Sequence, residues 1–113
     1  MKNVEMIKEL SVKSENIRYK VEEFHRILMI KKETQSNLSF SCEKLVNFNP
    51  EFKNETQRKT ALKDMLSISE EYQGILKEIQ EKELYILTQE HERNLIKIEI
   101  EYYKNLLAFE LKA

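Results

Sequence analysis

Apolar residues recur in steps of three and four through most of this chain. In the first half they run Ile7, Leu10, Ser14, Ile17, Val21, Phe24, Leu28, Lys31, Gln35, Leu38, Cys42, Leu45. In the last third they run Ile68, Tyr72, Ile75, Ile79, Lys82, Ile86, Gln89, Arg93, Ile96, Ile100, Tyr103, Leu107. Such steps place side chains on one helical face, and a sustained seven-residue repeat winds helices around one another. The pattern predicts a first helix over 3–46, with Asn3 as N-cap and Glu5 in its first turn. Ser36, Asn37, Ser39 and Ser41 mark its weakest stretch, because their side chains compete for local backbone. Asn49-Pro50 breaks the helix. A short helix over about 50–66 follows, opening at Pro50 or at Asn54, which forms a capping-box pattern with Gln57. A second such pattern, Ser67 with Glu70, opens a last helix over 68–111.

Two long helices of matched length, each on the order of 60 Å, joined by a short one predict an antiparallel helical hairpin. Folding about residue 57 gives a register in which partner numbers add to about 114. The polar interruptions then meet: Lys31 and Gln35 fall opposite Lys82, Gln80 and Glu78. Polar layers of this kind set register at a cost in stability.

The last helix carries a second stripe, Leu84, Leu87, His91, Leu95, Ile98, Tyr102, Leu106 and Phe109. Residues 95–109 are therefore apolar around much of the circumference, as a helix facing more than one neighbour requires. The open end is expected to pack into another chain through Leu95, Ile98, Tyr102, Tyr103, Leu106 and Phe109. A homodimeric helical bundle is the simplest closure.

Composition narrows the class. The chain has 113 residues, 35% of them charged, with a single Gly and a single Pro. Hairpin turns need those two residues, so a β-rich fold has little to turn with. The length fits one helical domain, 1–113. Net charge is −1. Residues 69–113 hold ten acids against six Lys/Arg, and no region forms a strong basic patch. Nucleic-acid binding is therefore weakly favoured. The lone Cys42 reads as a small buried hydrophobe. It also fits a reducing cytoplasm. No apolar run approaches the ~18 residues of a membrane span.

Candidate chemistry is thin. His25 and His91 share a level in the register, with Glu22, Glu90 and Glu92 nearby, but no spacing demands a metal, and none is expected. Neither is a cofactor. The carboxylate pairs read as solvated helix faces paired with lysines, such as Glu78 with Lys82. No catalytic constellation is present, so an enzyme is not expected. The exposed tip is the richest region. Lys53, Arg58, Lys59 and Lys63 lie there with Phe48, Phe52 and Tyr72 close by. Such a mixture is able to hold phosphates and stack bases, or to serve as a solvated cap on the hairpin core.

The stretch Asn49-Pro50-Glu51-Phe52-Lys53-Asn54-Glu55-Thr56-Gln57-Arg58-Lys59, with Leu62, Leu66, Glu71-Tyr72-Gln73 and the long helix after it, resembles a group of small phage and prophage proteins. These share an N-P-x-x-K-N-E-x-Q-R-K-like stretch followed by a charged coiled coil. The resemblance covers residues 47–110. It implies a setting among phage recombination or replication genes and marks Asn54, Gln57, Arg58 and Lys59. The expected function is non-enzymatic: binding a protein of the recombination, replication or single-strand DNA-handling machinery through Lys53, Asn54, Gln57, Arg58, Lys59 and Lys63. Two alternatives stand beside it. One is a small phage inhibitor of a host nuclease or defence complex, using the acids Glu70, Glu71, Glu78 and Glu81. The other is a purely structural coiled-coil assembly protein.

Overall fold

A computed structural model describes residues 2–112. Helix α1 spans Lys2–Asn47, α2 spans Glu55–Ile68 and α3 spans Glu70–Lys112, with no strand among the described residues. The fold is all-α, with the antiparallel pairing of the long helices that the sequence predicts. Two compact units are present, residues 1–26 with 84–113 and residues 27–83.

In the first unit α1 and α3 pair along their apolar stripes. Leu10, Ile17 and Val21 are buried from α1, and Ile86 and Ile96 from α3. Phe24 and Tyr85 stack with centroids 4.2 Å apart. Asn3 donates to Glu110 at 2.7 Å, and His25 lies 3.7 Å from Glu90. One polar position of the stripe is itself buried. Ser14 is 7% exposed and its Oγ accepts from Arg93 Nε at 3.2 Å. The pair satisfies an otherwise costly buried hydroxyl.

In the second unit Leu28, Val46 and Ile79 form the buried core. Of the expected polar layer, the pairing of Lys31 with Glu78 is present, while Gln35 takes a different partner. Lys31 meets Glu78 at 2.8 Å, Lys32 meets Glu83 at 3.2 Å, and Gln35 donates to the Tyr72 hydroxyl at 3.3 Å. The hydrogen bond from Lys31, followed by its charge, holds the Glu78 carboxyl below its ordinary range. The expected register of about 114 is met at Lys32–Glu83. Gln35–Tyr72 falls short of it by about two helical turns. The Lys31–Glu78 pair and the Phe24–Tyr85 stack fall short of it by five residues.

The serine-rich stretch stays helical, as the predicted continuous first helix requires: Thr34 and Ser41 donate to the carbonyls of Ile30 and Asn37 one turn back, so their hydroxyls are satisfied without unwinding the helix. Three local expectations differ from the structure, the first being that Asn3 lies inside α1, which begins at Lys2, and its side chain donates to Glu110 instead of capping the helix. The stripe slips by one at the end of α1, where Val46 is 1% exposed and Leu45 is 66% exposed. The cap of α3 is Ser69, whose Oγ accepts from the Tyr72 amide at 3.2 Å. Ser67 instead donates to the Asp64 carbonyl, and Ile68 ends α2 as an exposed residue.

Gly74 lies inside α3, and a Cβ built on it meets nothing within 4 Å. Gly74→Ala should therefore stabilise the protein by about 1 kcal/mol through helix propensity alone. A melting temperature raised by a few degrees in circular dichroism checks this.

Candidate functional site

The tip is built by two local devices. After α1, the Phe48 amide donates to the Lys44 carbonyl and that of Asn49 to the Val46 carbonyl. The Asn49 side chain then accepts from the Glu51 amide at 3.0 Å, an Asx turn that carries the chain past Pro50. Asn54 next caps α2. Its backbone is extended (φ −139°, ψ 168°), and its Oδ1 accepts from the Gln57 amide at 2.8 Å. The reciprocal bond from Gln57 goes one residue further out than in a standard capping box, with Oε1 accepting from the Lys53 amide at 2.8 Å. The cap thus begins the helix at Glu55 rather than at Pro50.

Helix α2 has two unlike faces. At ~100° per residue, Glu55, Arg58, Lys59 and Leu62 share one side. They surround a small hollow with Glu43, Val46 and Asn47 of α1. Thr56, Gln57, Thr60, Ala61, Asp64 and Met65 take the other side, and with Glu51 and Phe52 they line an open groove of about 630 Å³. Phe52, Ala61 and Met65 give the groove an apolar floor, and Glu51 and Asp64 carry negative charge on it. No residue of α2 is fully buried.

The tip residues marked by the sequence therefore do not act as one group. Asn54 is occupied as the cap. Gln57 alone of the six lines the groove. Arg58 is half-buried, and its Nη1 donates to the Phe52 carbonyl at 3.4 Å, which ties the turn before α2 to the helix. Lys59 pairs with Glu55 at 3.2 Å, with both side chains about three-quarters exposed, so the pair adds little stability. Lys53 and Lys63 are exposed. The groove floor carries no motif. Residues 52, 61 and 65 become neighbours only because the Asx turn brings Phe52 back alongside α2.

On α3, Leu95, Ile98, Tyr102 and Phe109 are all exposed, together with Leu84 and Leu87. Tyr103 and Leu106 are half-buried. Tyr102 and Tyr103 meet edge to face at 5.4 Å. Of the acids considered for competing with a nucleic acid, Glu78 is engaged by Lys31, while Glu70, Glu71 and Glu81 are exposed. No group of three or more His, Cys, Asp or Glu side chains among the described residues is arranged to hold a metal ion. No described helix is long and apolar enough to cross a membrane.

These features define an all-α helical hairpin with a grooved tip helix and an uncovered apolar stripe on its last helix. No protein-family model matches the sequence, and neither a curated protein nor a solved structure matches it.

Proposed function

We propose that this protein works by binding another protein rather than by catalysis, and that the contact surface is the groove face of α2. The observation that carries this reading is the split character of α2. One face packs beside the end of α1, and the opposite face leaves Phe52, Ala61 and Met65 only half-buried, lining an open groove together with the acids Glu51 and Asp64. An apolar floor with carboxylates beside it fits a partner segment that offers an apolar side chain flanked by basic residues. The resemblance carried by residues 47–110 directs the search to proteins of DNA recombination, replication and single-strand handling, and with it to a phage setting. Lys53, Lys59 and Lys63 border the same tip and would meet acidic groups at the margin of the contact.

The test is affinity capture of the full-length tagged protein from host lysate after nuclease treatment, in three forms. Arg58 is left unchanged because it holds the Phe52 carbonyl. Ala61→Glu with Met65→Glu should reduce capture of the main partner at least about tenfold, equivalent to 1.4 kcal/mol or more, with helicity retained. Lys59→Glu with Lys63→Glu should reduce it less. Undiminished capture by the groove variant would refute the assignment. Recovery that vanishes with nuclease would move the lysines to the centre of the mechanism.

A further inference from the structure

On a different surface from the groove, we infer that the exposed stripe of α3 is covered by the same stripe of a second copy, with the two α3 helices parallel and in register. The stripe comprises Leu84, Leu87, Leu95, Ile98, Tyr102 and Phe109, each between 49% and 74% exposed. Together they present roughly 600 Å² of mostly apolar surface, against ~800 Å² per partner in a standard interface. A patch of that size is at the upper limit of what a lone soluble chain leaves open.

The spacing gives the geometry. Leu95, Tyr102 and Phe109 repeat every seven residues from Thr88, and Ile98 repeats with Leu84, His91 and Asn105 three residues further on. These are the two seam positions of a coiled coil. In a parallel, in-register pair each seam residue meets its own copy. Asn105 then faces Asn105, an amide pair that is satisfied in this alignment. The flanking contacts five residues apart become Leu87 with the second copy's Glu92, Asn94 with its Glu99, and Glu101 with its Leu106. None of these pairs like charges, and the Asn94 amide is able to donate to the Glu99 carboxylate. An antiparallel pair that sets Leu95 against Ile98 puts Glu92 against Glu99 twice, two like-charge contacts that oppose assembly. The charge pattern therefore selects the parallel arrangement.

Sedimentation equilibrium of the full chain across the micromolar range tests the association. The expected mass is twice the 13.6 kDa of the chain. Leu95→Glu with Ile98→Glu should return it to the single-chain mass with helicity unchanged, since both positions are exposed. Orientation is read by disulfide trapping in a Cys42→Ser background. Leu84→Cys alone and Phe109→Cys alone should each cross-link to its own copy under mild oxidation. A single-chain mass at every concentration would overturn the inference, as would a dimer that survives the double Glu substitution. Cross-linking that appears only when the Leu84→Cys and Phe109→Cys proteins are mixed would overturn the parallel arrangement.

Discussion

Ile86→Asp is expected to cost about 4 kcal/mol of folding stability at neutral pH, a large share of the ~5–15 kcal/mol typical of a domain. Ile86 is 5% exposed on the α1-facing side of α3. The substitution removes an apolar side chain from the seam and places a carboxylate where desolvation is unfavourable. It also introduces a poorer helix former mid-helix. The burial penalty falls on the ionised form, so the new carboxyl should titrate above its usual range. The sign follows. A raised folded-state value makes the variant least stable above that value, and its deficit relative to the parent should shrink as the pH falls through it. Urea unfolding followed by circular dichroism at pH 7 and pH 4 checks both the magnitude and the direction. A deficit under about 1 kcal/mol at pH 7 would show that α3 does not bury this face.

Ile79→Ala tests the second unit in the same way. Ile79 is 4% exposed and lies next to the Lys31–Glu78 pair. Its truncation should cost about 2–4 kcal/mol, the loss of transfer free energy plus the cavity that two facing helices close only in part. No titratable group is introduced, so this deficit should stay constant between pH 5 and pH 8. The same urea titration, with hydrogen exchange of the α2 amides, measures the effect. Faster exchange in α2 than in the Ile86→Asp protein would show that the second unit opens on its own.

The long helices and their buried faces were legible because burial in a paired helix follows periodicity alone. Leu10, Ile17, Val21, Leu28, Ile79, Ile86 and Ile96 lie on the predicted stripes and are buried. The polar layer was legible in part: Lys31 interrupts the first stripe and meets the expected Glu78, whereas Gln35 bonds to Tyr72, a residue of the other apolar stripe, rather than to a polar residue opposite it. The misread positions lie where two signals of equal local strength compete. Leu45 and Val46 both suit a helix core, and the exit geometry of α1 chose Val46. Ser67 and Ser69 both suit an N-cap. The chain used Ser69 because α2 continues through Ile68. At the tip, Lys53, Arg58, Lys59 and Lys63 are close in sequence but not on one surface. A helix separates neighbours by about 100°, so Arg58 and Lys59 went to one face and the groove to the other.

Sequence by itself determined the helical class, the breakpoint at Asn49-Pro50 and the two apolar stripes of the last helix, because each depends on interactions between residues a few positions apart. Only the tertiary structure decided which stripe of α3 is buried and which remains uncovered, since both have the periodicity of a core. It also decided that Ser14 is buried with Arg93 as its partner, and that Phe52 joins Ala61 and Met65 in a groove. Those outcomes depend on the offset between helices distant in sequence and on the path of a turn. Packing and hydrogen-bond satisfaction across the whole fold set both, and no local pattern encodes them.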